Sequence, residues 1–273
     1  MRARVALTLV ASALIGTSLA GCATVAAADD VAEGRPAAEE QPEATPYRPT
    51  VSTPAALSAP GWIEIEGGGL RERAGGAARR DSLPYTVKLA FTPDWGIRVG
   101  GDAWVRQVDA DGHALSGFGD TSIIGKRRFA VDDKSAFGLE GGVLLPTSRS
   151  GVGNDRADWF LTGIYSADLP ADLHTDVNLE GTRFGAPDPG TSRTQLLWAA
   201  SLSKTLNERW GVVGELSGTY QRGAEGTTQL LVAATFNVSR GLVLDAGAAH
   251  SLRSGSNDRS FFAGFTWLAA RLF

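Results

Sequence analysis

The sequence is poor in the residues that usually carry redox, metal or cofactor chemistry. It contains one cysteine, Cys22, and three histidines among 273 residues. A single cysteine cannot form an intrachain disulfide, so we expect a mature fold that depends on none. The sequence has no Gly-x-Gly-x-x-Gly element before a helix, no Walker loop and no His/Cys cluster at metal-ligand spacing. We therefore expect neither a cofactor nor a metal.

The chain also lacks an excess of basic residues. It has 26 lysines and arginines against 30 aspartates and glutamates, which gives a formal charge of −4. A protein that binds nucleic acid without sequence preference needs a cationic surface to displace counterions from phosphate. The charge balance therefore argues against nucleic acid as a partner.

Long apolar runs are missing from everything that follows the N-terminal region. No later stretch reaches about 18 consecutive apolar residues, the length that a transmembrane helix requires. A backbone that crosses lipid without helices must pair all its strands in a closed barrel. If the mature protein spans a membrane, the sequence predicts that it does so as a barrel.

The N-terminal region has the features of a secretory signal. Two arginines stand among the first four residues, and an apolar run of mostly small side chains continues to Leu19. Residues 19–22 resemble a bacterial lipobox, in which Cys22 would become an acylated lipid anchor. Cleavage by a leader peptidase within residues 23–28, which would discard Cys22, fits equally well. We assign residues 1–22 to the signal peptide and leave both alternatives open.

A segment rich in alanine, proline and glutamate follows the signal. Residues 23–60 contain almost no aromatic side chains, so they offer little apolar surface to offset the entropy that folding costs. We predict a disordered linker over residues 23–60 and one folded domain over residues 61–273.

From Trp62 onward, short segments alternate between apolar and polar residues, as strands do. The clearest segment runs from Trp210 to Gln221. Its apolar or small side consists of Trp210, Val212, Gly214, Leu216, Gly218 and Tyr220. Its polar side includes Glu215, Ser217, Thr219 and Gln221. One face therefore suits lipid and the other suits water, although a soluble sandwich would alternate in the same way.

The connections between strands favour a membrane barrel over a sandwich. The sequence predicts tight turns near Pro93, Asp132, Pro170, Asn207 and Arg240. It predicts longer polar loops over Gly67–Asp81, Asp109–Ser116, Ser148–Asp158 and Gly185–Ser192. Short turns at one end and long loops at the other are typical of outer-membrane barrels. We therefore predict an all-β fold, a closed antiparallel transmembrane β-barrel of about twelve strands, with ten or fourteen as alternatives.

The final segment resembles the signal that the outer-membrane insertion machinery recognises. Phe261, Phe265 and Trp267 fall on one face, and the sequence closes on Phe273. Arg271 departs from that signal, because an aromatic or aliphatic residue is usual at its position. We expect the outer membrane as the location, and membrane lipids and the insertion machinery as partners, with Phe273 as the insertion signal.

Residues from about 84 onward resemble the outer-membrane transporters grouped under the meta-pathway of phenol degradation. The resemblance is carried by glycine-rich strand patterns at Gly117–Ser122, Gly141–Thr147, Trp210–Gly218 and Ala263–Thr266. Ser148 departs from the family, in which a glycine commonly follows the Leu-Pro-Thr element. The resemblance implies a barrel for passive uptake of small, often aromatic or hydrophobic, molecules.

Alternation also predicts which ionisable residues face the inside of the barrel, because charges facing lipid would be unstable. The predicted lumen-lining residues are Lys88, Arg98, Asp102, Arg106, Lys126, Arg128, Glu140, Asp176, Glu180, Glu215 and Asp245. Bases precede acids along the chain, which suggests a basic wall facing an acidic wall across a solute pathway. The alternative is a network of salt bridges that fills the barrel and blocks flow.

Two other functions remain to be weighed against a channel. A lipid-modifying barrel enzyme would need a serine and histidine constellation near the outer leaflet. His113 and His174 lie in a predicted loop and near a predicted turn, whereas adjacent residues His250 and Ser251 point to opposite faces of a strand. We therefore predict no enzyme and no catalytic residues. A non-conducting barrel that supports the envelope or binds a partner is the main alternative.

Overall fold

A computed structural model describes residues 42–74, 78–148, 151–253 and 258–273. In this part of the chain, thirteen antiparallel strands form a single sheet. The strands are β1 (Trp62–Arg73), β2 (Arg79–Ala90), β3 (Trp95–Val108), β4 (Ala114–Gly117), β5 (Thr121–Ala130), β6 (Ser135–Leu145), β7 (Asp158–Leu169), β8 (Leu173–Arg183), β9 (Thr194–Thr205), β10 (Trp210–Gln221), β11 (Thr227–Ser239), β12 (Leu242–Ser251) and β13 (Arg259–Arg271). None of the residues described forms a helix with the length and apolar character needed to cross a bilayer.

The sheet closes on itself as a barrel with twelve strand positions. β1 pairs with both β2 and β13, and β3 pairs with β5, whereas all other paired strands are also neighbours in sequence. The short strand β4 pairs with the end of β3 near Val108, whereas β5 pairs with the beginning of β3 near Trp95. β4 and β5 therefore share one position in the wall. The predicted closed barrel of about twelve strands is confirmed.

The two faces of the wall differ as the alternation predicts. On β10, Leu216 is 43% exposed on the outer face, whereas its neighbour Glu215 is 2% exposed on the inner face. Large apolar side chains cover the outer face on almost every strand, including Val87, Ile97, Phe137, Leu161, Leu179, Trp198, Leu230, Leu244 and Trp267. A water-soluble sandwich would bury such a continuous apolar surface between its sheets. A band of this kind is stable when it contacts acyl chains.

The tight turns all lie at one end of the barrel, at the positions that the sequence predicts. Three of them share one geometry, in which a side-chain oxygen accepts a hydrogen bond from the backbone N–H two residues later. The accepting residues are Thr92, Asp132 and Asn207, with distances of 3.2, 2.9 and 3.0 Å. At Asp132, the N–H of Lys134 holds the pKa of the carboxyl below its usual value. This end, called the short-turn end below, faces the periplasm in outer-membrane barrels.

One of the predicted long loops is much shorter than the sequence suggests. The glycine-rich stretch at residues 67–69, which we assigned to a loop over Gly67–Asp81, is part of β1. The strand runs on to Arg73, and β2 begins at Arg79. Gly68 pairs with Gly264 of β13, so these glycines allow two wall strands to approach closely and do not end the strand.

Residues 42–60, here called the inner segment, lie inside the barrel. Near one end of the segment, the N–H of Ala44 donates to the carbonyl of Arg240, in the turn between β11 and β12. At the other end, Pro60 forms a bridge with Ala90 at the end of β2. Both ends therefore lie at the short-turn end of the barrel. The prediction of a disordered linker is wrong for residues 42–60, whereas residues 23–41 and the signal, with Cys22, lie outside the described residues.

Candidate functional site

The basic side of the lumen is built from β3, β5 and β6. Arg98 and Lys126 both contact Glu140, with Arg98 Nη2 at 2.6 Å and Lys126 Nζ at 3.1 Å from its carboxylate oxygens. All three side chains are almost completely buried. The structure brings these predicted lumen residues together as a compact cluster, in which one carboxylate pairs with two cations and one positive charge is left in excess.

A second ion cluster lies beside the first, on β1 and β2. Lys88 Nζ is 2.5 Å from Glu64 and 2.7 Å from Glu66. The two glutamates were not among our predicted lumen residues, although the order Ile63-Glu64-Ile65-Glu66 contains the alternating signal that would have identified them. The base on β2 therefore pairs with two acids of the neighbouring strand, and their one excess negative charge offsets the excess positive charge of the first cluster.

The acidic side differs because Glu215 and Asp245 have no cation of the described wall within ion-pair distance, and the inner segment supplies their partners. Glu215 on β10 accepts hydrogen bonds from the backbone N–H groups of Val51 and Ser52, at 3.0 and 2.7 Å, and from the Ser52 hydroxyl at 2.7 Å. Asp245 on β12 accepts two hydrogen bonds from the guanidinium of Arg48, at 3.0 and 2.9 Å. These two predicted lumen residues thus bind protein backbone and an arginine of the same chain.

Asp176 on β8 links the inner segment to a histidine. It accepts a hydrogen bond from the hydroxyl of Ser166 on β7, and that hydroxyl accepts one from the N–H of Ala55 at 2.7 Å. The ring of His174 lies between two carboxylates, with Nδ1 2.6 Å from Asp168 and Nε2 3.2 Å from Asp176. The serine hydroxyl is thus held by a carboxylate and an amide, an arrangement that positions the inner segment.

Farther from the short-turn end, the lumen holds two smaller polar groups. Glu180 accepts hydrogen bonds from the hydroxyls of Thr162 and Thr182, at 2.8 and 2.9 Å. Asp102 pairs with Arg80, which also lies 3.4 Å from Glu72. Sequence reasoning missed Arg80 and Glu72 because it placed both in the loop over Gly67–Asp81.

Arg106 does not face the lumen. β3 carries one extra residue, Ala103, opposite the Leu83–Pro84 step of β2, and this bulge reverses the alternation beyond it. Val105 is therefore fully buried on the inner face, and Arg106 is exposed beside Asp81 on the outer face. Proline lacks the N–H that a regular ladder needs, so Pro84 suits the position of the bulge.

Arg128 is on the inner side of β5 but at the rim of the barrel. Its guanidinium is 3.8 Å from Asp94 in the turn between β2 and β3, and its side chain is partly exposed. It therefore lies at the entrance of the short-turn end and not beside the buried ion clusters.

The inner segment meets the basic side through an aromatic ring. The ring centre of Tyr47 is 3.9 Å from Lys88 Nζ and 4.1 Å from Lys126 Nζ. Its hydroxyl donates to the carbonyl of Ala56 at 2.8 Å and accepts from Lys126 at 3.0 Å. Ammonium groups close to an aromatic ring are attracted by its electrons, most strongly away from water. Tyr47 therefore fixes the inner segment against the basic side.

Glycines of the wall leave the space that the inner segment fills. A Cβ atom at Gly264 would lie 2.6 Å from the guanidinium of Arg48, and one at Gly68 would lie 2.9 Å from it. On β3, a Cβ at Gly96 would lie 2.6 Å from the side chain of Leu57. Larger residues at these positions would collide with the segment, so the wall and the segment are complementary in shape.

The remaining histidines do not form a catalytic arrangement with the residues described. His250 is exposed on β12, and the neighbouring Ser251 lies on the alternate face of the strand. His113 lies in the exposed connection between β3 and β4, beside Asp109 and Asp111, with ligand atoms within 4.8 Å of one another. This small acidic group is stabilised as a turn, because Asp109 accepts the N–H groups of Asp111 and His113.

Comparison with known proteins places the chain by its fold. No protein-family model and no curated protein match the sequence. Among solved structures, it is similar to an outer membrane channel from Pseudomonas putida F1, with 12% identity and a TM-score of 0.59 over 77% of this chain and 97% of that one. It is also similar to the NanC porin, with 10% identity and a TM-score of 0.54 over 75% and 98%. A KdgM porin in complex with disordered oligogalacturonate shows 9% identity and a TM-score of 0.52 over 76% and 99%. The chain has the fold of an outer-membrane β-barrel.

Proposed function

We propose that the protein is an outer-membrane channel that passes small molecules passively. The observation that carries the proposal is the distribution of charge inside a lipid-facing barrel. Bases at Lys88, Arg98 and Lys126 lie on β2, β3 and β5, and the acids Glu215 and Asp245 lie on β10 and β12, across the lumen. The bases pair with Glu64, Glu66 and Glu140 of their own side, so among these residues the charge that is not paired within the wall is the negative charge of Glu215 and Asp245. Carboxylates that line a constriction orient and select polar solutes. Ionisable residues at membrane depth commonly mark a pathway for ions or solutes.

The proposal extends to the family and to the class of solute. The resemblance of the sequence to the transporters of the meta-pathway of phenol degradation, together with the similar fold of the Pseudomonas channel, supports membership of that group. The corresponding solutes are small, aromatic or hydrophobic molecules. The KdgM porin, in contrast, was solved with an oligogalacturonate, so a saccharide is the solute to compare in a transport assay.

The proposal places the protein in the outer membrane, as a non-enzymatic barrel inserted by the envelope machinery. Membrane lipids contact its apolar outer face, and Phe273 acts as the insertion signal. The side chain of Phe273 is exposed, and Arg271 donates a hydrogen bond to its carbonyl. The signal peptide over residues 1–22 and a lipid anchor at Cys22 remain predictions from the sequence.

One observation favours a second function, a non-conducting barrel. The inner segment and the ion clusters leave most inward-facing side chains buried, as expected for a lumen that is filled. Such a barrel would support the envelope or bind a partner. The two functions differ in one measurable property, which is whether ions or solutes cross the barrel.

Reconstitution into planar bilayers tests the channel directly. We expect purified full-length protein to conduct in small discrete steps, because a barrel of twelve strand positions is narrower than the porins of about 16 strands. Vesicle swelling with phenol-sized solutes and with saccharides of increasing length then identifies the solute class. Silence of the wild type, and of variants that free the lumen, at all voltages and salt concentrations would overturn the proposal.

A further inference from the structure

We propose that the inner segment is an autoinhibitory gate, held by Glu215 and Asp245, and that its withdrawal opens the lumen as a cation-selective pore. This inference rests on the proposed channel function and adds its regulation. It concerns residues 42–60, which enter and leave the barrel at the short-turn end.

The first argument is that the inner segment spans the cross-section of the barrel. Its contacts reach strands β1, β2, β5, β7, β8, β10 and β12, which lie all around the wall. The contacts at Glu215 and Lys126 lie near the middle of their strands. A solute that follows the barrel axis would therefore meet the inner segment.

The second argument is that Glu215 and Asp245 have no basic partner among the wall residues described. Arg98, Lys126 and Lys88 each pair with wall carboxylates, so the basic side is balanced whether or not the segment is present. Among the residues described, the only cation within ion-pair distance of Asp245 is Arg48, and none lies within that distance of Glu215. The inner segment thus supplies the positive charge that pairs with Asp245 and the hydrogen-bond donors that Glu215 accepts.

The third argument concerns how the inner segment is bound. It contains prolines at positions 42, 46, 49, 54 and 60, which favour an extended backbone and reduce the number of N–H groups that require partners. Its anchors are mostly polar: hydrogen bonds to wall carboxylates, the ion pair of Arg48 and the ring of Tyr47 beside two ammonium groups. A water-filled lumen can satisfy the same charged groups of the wall. Polar contacts of this kind can be exchanged for water, whereas a permanently packed core would expose apolar surface.

Withdrawal of the segment has a predictable electrostatic consequence. Glu215 and Asp245 would then face water without a counter-charge, while the basic clusters would keep their wall partners. Rings of free carboxylates attract cations and repel anions. The open state is therefore expected to prefer potassium over chloride.

The release test uses full-length protein with point substitutions that leave the wall backbone unchanged. Single-channel recordings in potassium chloride would compare the wild type with Arg48→Ala and Arg48→Leu. Each removes the bidentate contact to Asp245 and leaves both wall carboxylates in place. We expect the open probability to rise about tenfold or more, because a hydrogen-bonded charge partner of the segment is lost. We also expect the reversal potential in a salt gradient to show cation preference.

The matched control is the double variant Asp133→Asn with Glu208→Gln, which alters two exposed turn carboxylates at the same end and is expected to behave as the wild type.

A covalent link between the inner segment and the wall tests the opposite change, in which the segment cannot withdraw. The N–H of Ala55 and the hydroxyl of Ser166 are 2.7 Å apart, so Ala55→Cys with Ser166→Cys brings two thiols near each other. Oxidation to a disulfide, or a short bis-methanethiosulfonate reagent that forms a disulfide with each thiol and releases sulfinate, can join them reversibly. The locked protein should not open, and reduction should restore the openings seen before oxidation, while oxidation and reduction should leave the openings of each single cysteine variant unchanged.

The outcomes separate the gate from the channel. Equal openings in the wild type, the Arg48 variants and the locked protein would overturn the gate and leave the channel intact. Anion preference in the Arg48 variants would overturn the proposed role of Glu215 and Asp245. Silence of every form, including the released ones, would overturn both the gate and the proposed channel.

Discussion

Leu216→Arg is expected to lower the free energy of unfolding in lipid vesicles by about 2–4 kcal/mol, the cost of an arginine on the lipid face near the bilayer midplane. Leu216 lies in the middle of β10 and is 43% exposed on the outer face of the barrel. A guanidinium at this position must lose its hydration or draw water and headgroups into the bilayer. Reversible denaturant titration of the vesicle-inserted protein, followed by tryptophan fluorescence, measures the change.

The control is the same substitution at a position of similar exposure outside the bilayer. Leu115 is 52% exposed on β4, the short strand that pairs with the end of β3 beyond the membrane-spanning part. Leu115→Arg should change the free energy of unfolding by about 0.5 kcal/mol or less, as a surface substitution in water does. Equal effects at the two positions would mean that the apolar band does not contact lipid, and the membrane assignment would fail.

The outer face and the turns could be predicted from the sequence because their signals are local. Alternation on β10 depends only on the strand period of two, which makes Leu216 and Glu215 point in opposite directions. The turns at Asp132 and Asn207 depend on side chains that bond their own backbone two residues later. Neither feature requires knowledge of a distant part of the chain.

Positions in the lumen were harder to predict because alternation must be counted through irregularities. Arg98 and Arg106 have the same parity in the sequence, yet one is buried beside Glu140 and the other is exposed on the outer face. The bulge at Ala103 changes the parity between them, and it is visible only when β3 is paired with β2. In the same way, glycines at residues 67–69 favour a loop locally, but pairing with β13 keeps them in a strand.

The inner segment could not be predicted from its own composition. Proline, alanine and small polar residues describe a disordered linker and a bound extended segment equally well, because neither forms an apolar core of its own. What orders it is the wall, through Glu215 and Asp245, residues more than 160 positions away in sequence. Those carboxylates were predicted to line the lumen, but nothing in their local sequence indicates that their partner is Arg48.

Glu140→Gln is expected to lower the free energy of unfolding by about 3–5 kcal/mol, the cost of leaving buried charges without their partner. Arg98 and Lys126 both depend on this carboxylate, at 2.6 and 3.1 Å, and all three side chains are nearly inaccessible to water. The amide keeps the shape of the side chain and removes the charge, so the loss is electrostatic. The same denaturant titration in vesicles measures it.

A double-mutant cycle with Arg98→Met separates this electrostatic cost from a general disturbance of the wall. If Arg98 destabilises the Glu140→Gln variant because it is buried without a carboxylate partner, the double variant should regain part of the lost stability. Only one of the two unpaired cations, Lys126, then remains. Glu208→Gln makes the same chemical change at an exposed turn and should shift stability by about 0.5 kcal/mol or less. Strictly additive losses in the double variant would show that Glu140 and Arg98 are not coupled. The lumen cluster would then be hydrated and open to solvent even with the inner segment in place.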